Sequence, residues 1–127
     1  MVNHQTLGAA DRAAHLSPED LDTLRENLRE QLLFRREQLR ALAAERTAVP
    51  TAGPTPRGAA ARAEVRGRIE ASARMVVTDV RAALRRMAEG GYGVCGLCRR
   101  PVDREHLMVV PQARYCARCR QVREAGR

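Results

Sequence analysis

The fold is decided by two short stretches, GYGVCGLC at residues 91–98 and YCARCR at residues 115–120. They hold the only four cysteines of the chain as two Cys-x-x-Cys pairs, Cys95 with Cys98 and Cys116 with Cys119, separated by seventeen residues. A zinc ion prefers four thiolates in a tetrahedron, and each Cys-x-x-Cys turn supplies two of them. The spacing therefore predicts one structural zinc ion per chain, bound by all four cysteines.

Two other interpretations of the cysteines are a pair of structural disulfides and a reversible thiol switch. Residues 1–14 lack a basic start followed by an apolar run, and no stretch approaches the roughly 20 apolar residues of a membrane span. We therefore expect a cytoplasmic protein, in a reducing compartment that disfavours disulfides. Because four protein ligands leave no open coordination position, we expect the metal to stabilise the fold. Since the sequence shows no nucleophile–base pairing and no phosphate loop either, we expect the protein not to be an enzyme.

The composition is poor in large apolar side chains and rich in arginine. Among 127 residues the aromatic side chains are Phe34, Tyr92 and Tyr115, and all 23 basic residues are arginine, with a net charge of +8. A large globular core is hard to build from these residues, whereas a small zinc module beside an elongated helical part needs less apolar surface. The positive charge favours an acidic partner, either nucleic acid or an acidic protein surface.

The first predicted helix begins at Ser17-Pro18-Glu19-Asp20, where Ser17 is placed to cap and Pro18 takes the first helical position. Beyond it, apolar residues recur at three- and four-residue steps, which predicts an amphipathic helix to about Arg46. The positions of this stripe are Leu21, Leu24, Leu28, Leu32, Leu39 and Leu42, with Arg35 at its one weak point.

A second helix is predicted after a break. Residues 47–58 contain three prolines and two glycines and cannot continue a helix. The apolar periodicity resumes at Ala59 and stops at Gly90-Gly91. The positions of this second stripe are Val65, Ile69, Ala73, Val76, Val80, Leu84 and Met87.

These patterns predict a mainly α protein. Residues 17–90 form an antiparallel coiled-coil hairpin with arms on the order of 40 Å long and a tip at 47–58. Residues 91–127 form a four-cysteine zinc finger with a short C-terminal helix, and residues 1–16 form a flexible segment in which His4 and His15 are exposed. Seam residues such as Ile69 are expected to be buried, so that a carboxylate there would be costly.

Inside the finger, the apolar run from Leu107 to Val110, bounded by Pro111, predicts a strand beside the metal. His106 is expected to be exposed in a loop or hairpin rather than to replace a cysteine ligand. Four thiolates on one dication leave a local charge of minus two, which nearby arginines offset. These arginines are Arg99, Arg100, Arg118 and Arg120.

The order of these motifs resembles the DksA/TraR family of bacterial regulators with a four-cysteine zinc finger. The resemblance covers about residues 17–122, and its most specific part runs from Tyr92 to Cys119, with Met87 to Gly93 leading into the finger. It implies that the protein binds RNA polymerase, inserts its hairpin through the secondary channel and modulates initiation without contacting promoter sequence. It also implies action with the alarmone guanosine tetraphosphate, for which Arg120 is the matching position.

The predicted tip departs from that family. Members with two-helix coiled coils carry paired aspartates and an alanine there, whereas residues 47–58 contain no acidic residue. Glu45 and Glu64 flank the tip without matching the motif, so no tip residue is carried across. Two other classes of function remain open at this point: a zinc-dependent nucleic-acid-binding protein, favoured by the net charge, and a redox sensor whose thiols release zinc on oxidation.

Overall fold

A computed structural model of the chain describes residues 15–48 and 55–126. It contains two long helices, α1 (Pro18–Thr47) and α2 (Pro56–Glu89), followed by two short ones, α3 (Arg104–Val109) and α4 (Ala117–Ala125). The long helices pack against each other as a hairpin, and the short helices belong to the finger. The mainly α fold predicted from the sequence is confirmed.

The helix ends follow from local capping chemistry. Ser17 accepts a hydrogen bond from the N–H of Asp20 at 2.9 Å, and the Asp20 carboxylate accepts one from the N–H of Ser17 at 3.0 Å, which completes a capping box before α1. Thr55 caps α2 through the N–H of Gly58, so α2 starts at Pro56, three residues before the predicted Ala59. Gly90 ends α2 with φ of 84°, a left-handed conformation that favours glycine.

The tip lies partly outside the described residues. Residues 49–54 of the predicted tip are among those not described, while Pro56 to Gly58 belong to the first turn of α2. The expectation of a flexible segment at residues 1–16 also falls mostly outside the described part, since it concerns residues 1–14 and His4. Leu16 departs from that expectation, because it is only 5% exposed and joins the core beside the finger. His15 is exposed, as expected, but its Nε2 lies 2.7 Å from the Val102 carbonyl oxygen.

The predicted hairpin seam agrees with the buried positions of α1. In α2 the buried positions are partly shifted from the predicted ones. In α1, Leu24, Leu28 and Leu42 are buried, as the leucine stripe predicts. In α2 the buried positions are Glu70, Ala73, Val77, Val80 and Ala83.

The shift changes the interpretation of Val65 and Ile69. These side chains are 54% and 38% exposed, so the prediction that Ile69 lies on a buried seam is wrong. Glu70 enters the seam at this level instead. It is tolerated because its Oε2 atom lies 3.4 Å from both Arg46 and Arg74, which compensate the buried negative charge.

The core lies where the hairpin meets the finger. Leu24, Leu28, Val80, Ala83 and Leu107 are all completely buried there. The finger thus completes a core that the two helices alone would leave open on one side, which suits a chain with few large apolar residues.

The predicted strand at Leu107–Val110 is wrong, because residues 104–109 form helix α3. A helix places Leu107 in the core while Val109 remains 79% exposed, whereas the prediction relied on the run being uniformly apolar. His106 also differs from its predicted place in an exposed loop: it lies in α3 and is partly buried against Arg120.

Among the described residues, no helix is both long and apolar enough to cross a bilayer.

Candidate metal centre

The four predicted metal ligands come together in the folded chain. The sulfur atoms of Cys95, Cys98, Cys116 and Cys119 all lie within 4.8 Å of one another, and those of Cys98 and Cys116 are 3.7 Å apart. A tetrahedron with zinc–sulfur bonds of about 2.3 Å has sulfur–sulfur edges of about 3.8 Å. The four thiols therefore fit a single tetrahedral metal ion, and all four cysteines are free of disulfides.

The first Cys-x-x-Cys pair is built by a tight backbone reversal. An isolated antiparallel bridge joins Val94 to Pro101, and the N–H of Cys95 donates to the Arg100 carbonyl at 2.8 Å. Two residues around the reversal have positive φ, Gly93 at 84° and Arg99 at 66°. Glycine adopts this conformation freely, whereas an arginine does so at some cost, so the reversal is held in place by its surroundings.

The second pair is placed by the start of a helix. Cys116 is the N-cap of α4, and its sulfur accepts a hydrogen bond from the N–H of Cys119 at 3.5 Å. The first turn of a helix presents free N–H groups and a partial positive charge. Both features favour thiolate over thiol at Cys116.

A backbone contact joins the two pairs. The N–H of Gly96 donates to the Arg114 carbonyl at 2.8 Å, and the Tyr115 ring lies 3.5 Å from the position that a Cβ on Gly96 would occupy. Tyr115 has Arg123 over its ring, with the guanidinium carbon 4.6 Å from the ring centroid. These contacts fix the distance between the first reversal and the start of α4.

The thiols influence one another's protonation. Burial raises the pKa of the Cys95 thiol. Hydrogen bonds from the backbone N–H groups of Cys98, Cys116 and Leu97 lower this pKa by a larger amount, to about 6 overall. The N–H of Cys119 lowers the pKa of Cys116, whereas burial and the three neighbouring thiols raise the pKa of Cys119 to about 12. Four sulfurs this close cannot all ionise without a cation between them, so the cluster as built favours a bound metal ion.

The neighbouring arginines divide into separate roles. Arg100 and Arg118 line an open depression of about 450 Å³ together with Cys98, Cys116 and Cys119, where they can offset thiolate charge. Arg120 instead has its Nη1 atom 2.6 Å from the His106 Nε2. Burial and the charge of Arg120 lower the pKa of His106, which favours a neutral ring that accepts a hydrogen bond from the guanidinium.

An ion pair attaches the finger to the hairpin. Arg104 of α3 donates to both carboxylate oxygens of Asp20 in α1, at 2.9 and 2.8 Å. Within the finger, the buried Tyr92 hydroxyl donates to the Pro111 carbonyl at 2.8 Å, and burial raises the pKa of Tyr92. Asp20 was recognised in the sequence only as a helix-start acid, because an ion pair across 84 residues leaves no local pattern.

Comparison with solved structures identifies the architecture. Transcription factor DksA2 from Pseudomonas aeruginosa superposes with a TM-score of 0.69 over 89% of this chain and 89% of its own, at 22% sequence identity. The chain has the DksA fold. No sequence-family model and no curated protein sequence matches it.

The fold match accounts for both the helical hairpin and the four-cysteine motif. In the DksA fold of this chain, a two-helix hairpin and a four-cysteine cluster are joined through one core. The resemblance that the finger motifs indicated is therefore confirmed at the level of the fold.

Proposed function

We propose that this protein is a zinc-containing transcription regulator that binds bacterial RNA polymerase through its hairpin, by way of the secondary channel. The observation that carries the proposal is the combination of a long two-helix hairpin and a four-thiol cluster in the arrangement of a transcription factor fold. Neither feature alone points to polymerase. A cytoplasmic location and the absence of enzymatic activity belong to the same proposal.

Zinc is the metal that best suits the donor set. Cys95, Cys98, Cys116 and Cys119 would hold it, and four thiolates in a tetrahedron are typical of structural zinc sites. When bound, zinc supplies folding free energy and leaves no coordination position for a substrate. Its role here would be to fix the reversal at Cys95 against α4, and so to orient the finger on the hairpin base.

The tip sets the expected output. Residues 47–58 contain Arg57 and no carboxylate, so the tip offers no oxygen anion to a magnesium ion in a polymerase active centre. We expect binding in the secondary channel with weak or altered effects on initiation. Replacing Thr51 with Asp should change the effect on initiation more than it changes affinity, with Thr51→Asn as the uncharged control.

The test is competition for purified RNA polymerase. The zinc-loaded protein should displace a labelled secondary-channel factor in a concentration-dependent manner. It should also be retained by polymerase when competitor DNA is in large excess. Failure to displace the factor at saturating concentration would overturn the proposal, and retention that disappears with competitor DNA would favour the nucleic-acid alternative.

The alarmone proposal rests on Arg120 and is tested separately. Arg120 already contacts His106, so guanosine tetraphosphate would have to share or replace that contact. Direct binding of the alarmone to the protein, alone and with polymerase, should fall in Arg120→Gln and remain in Arg114→Gln. Equal binding by both variants would remove Arg120 from the proposed site.

A further inference from the structure

One side of the hairpin carries a groove lined by four arginines. Arg36 and Arg40 project from α1, and Arg74 and Arg81 project from α2, with the Thr78 hydroxyl between the last two. The groove is open to solvent and has a volume of about 430 Å³. We call this set of five residues the arginine groove. It lies on the helices and not on the finger, so it is separate from the thiol cluster and from Arg120.

Among the described residues, ion pairing compensates the positive charge of the arginine groove at Arg74 alone. None of its lining residues is acidic. Within residues 15–48 and 55–126, Arg36, Arg40 and Arg81 form no ion pair. Four guanidinium groups around one space repel each other, and an anion placed among them would relieve that repulsion.

One arginine of the groove, Arg74, is restrained by an ion pair with a buried carboxylate. Arg74 lies 3.4 Å from the buried Glu70 carboxylate, which also contacts Arg46. This contact leaves Arg74 mostly exposed, with 61% of its side chain accessible, while restricting where its charge lies. A ligand that binds there loses less freedom from the protein side chain than it would with an unrestrained arginine.

The spacing favours a compact anion with several oxygens. Arg36 and Arg40 are one helical turn apart, about 6 Å, and Arg74 and Arg81 are two turns apart, about 10 Å. Arginine forks bind phosphate oxygens in pairs, and a threonine hydroxyl donates to the same group. Leu39 and Val77 also line the groove, so its charged rim surrounds apolar surface.

We propose that the arginine groove binds an anion with two or three linked phosphate groups. Such an anion occurs free, as pyrophosphate or tripolyphosphate, and as the tail of a nucleoside triphosphate. A long nucleic-acid backbone is a poorer fit, because the exposed carboxylates Glu30 and Glu37 interrupt the positive charge along α1. The proposal goes beyond polymerase binding and does not depend on it.

The test is isothermal titration of the zinc-loaded full-length protein with sodium tripolyphosphate in 0.15 M NaCl. Zinc content is measured before and after, because polyphosphates also bind metals. We expect one anion per chain and weaker binding of orthophosphate. Titration with ATP distinguishes the two sources: equal affinity for ATP and tripolyphosphate indicates recognition of phosphate alone, and tighter ATP binding indicates that the nucleoside is also in contact.

Matched variants separate the groove from net charge. Arg36→Gln combined with Arg81→Gln should weaken tripolyphosphate binding by about tenfold or more. Arg29→Gln combined with Arg57→Gln removes the same charge from exposed positions outside the groove and should change affinity by about twofold or less. Helicity and melting temperature should be unchanged in both, since these arginines are exposed.

Three results would overturn the proposal. They are absence of binding at this salt concentration, equal weakening in both double variants, and tighter binding of a single-stranded oligonucleotide than of tripolyphosphate through the same groove residues. The last result would assign the groove to nucleic acid. Because the titration contains no polymerase, its outcome is independent of the competition test above.

Discussion

The hairpin is packed differently at its two ends. At the base, which we define as residues 16–32 and 76–92 with the finger, Leu24, Leu28 and Val80 are completely buried. At the tip end, residues 42–47 and 56–70, Val65 and Ile69 are 54% and 38% exposed. This difference follows from what covers the helices at each end.

The finger explains the contrast. At the base it adds a third element, and Tyr92, Val102 and Leu107 close the core over the helices. At the tip end only two helices meet, and the buried position taken by Glu70 needs Arg46 and Arg74 as partners. The protein is therefore a rod whose stability is concentrated at one end, with a tip end that tolerates exposure and charge.

The largest effect is expected from removing the metal site. Cys95 is completely buried and accepts the backbone contacts of the first reversal. Cys95→Ser should abolish stoichiometric zinc binding and release residues 91–126 from their packed state, because metal binding supplies folding free energy to such modules. Zinc analysis, circular dichroism and hydrogen exchange measure this.

The control for the metal site is Val122→Ser, a change in the same finger at a side chain that is 66% exposed. It should keep one zinc per chain and the wild-type exchange pattern. Helical signal from the hairpin should fall only in part in Cys95→Ser. A metal-free protein with full protection of the finger under reducing conditions would contradict the prediction.

The parts of this structure that sequence predicted are those with local causes. Cysteine spacing within each pair, the Ser17 cap and the Gly90 stop each act within a few residues, and each has its expected counterpart in the structure. The predicted proline break lies largely at residues 49–54, outside the described part of the chain. The run at Leu107–Val110 failed because short apolar runs do not distinguish a strand from a helix by periodicity.

Long-range contacts account for most of what sequence missed. The Asp20–Arg104 pair, the shift that buries Glu70 and exposes Ile69, and the arginine groove all depend on how distant segments meet. In α2 the buried seam was predicted from the spacing of the apolar residues alone. The actual seam includes an acidic residue whose two arginine partners are visible only once the helices are paired.

The next largest loss of stability is expected from a core substitution at the base of the hairpin. Leu28→Ala removes a fully buried side chain from the core and should lower the free energy of unfolding by about 2–5 kcal/mol. Leu33→Ala, on the same helix but 60% exposed, should change it by about 0.5 kcal/mol or less. Urea unfolding at fixed zinc concentration gives both values. Similar losses in the two variants would contradict the assignment of the core.

A smaller loss of stability is expected from removing the Asp20–Arg104 contact between hairpin and finger. Arg104 and the N–H of Ser17 hold the pKa of Asp20 well below its usual value. A lowered carboxyl pKa stabilises the fold above the unfolded-state value, and the stabilisation is lost as pH falls through the folded-state value. Asp20→Asn should therefore lower the melting temperature at neutral pH.

The pH dependence sharpens this test. The difference between wild type and Asp20→Asn should be constant from about pH 5 upward and should shrink at more acidic pH. Asp22→Asn is the control, because Asp22 is an exposed neighbour whose one ion pair within the described residues is with Arg25 in the same helix. A larger loss from Asp22→Asn than from Asp20→Asn would show that the Arg104 contact does not fasten the finger to α1.

The smallest effect is expected at the tip end. Ile69→Asp replaces a partly exposed side chain and puts a carboxylate into an open groove that is lined by Arg62 and Arg66 and also by Glu45. The free energy of unfolding should therefore change by about 1 kcal/mol or less. Val80→Asp, at a fully buried base position, buries an unpaired charge and should cost several times more. Urea unfolding compares them directly, and equal losses would mean that the two ends are packed alike.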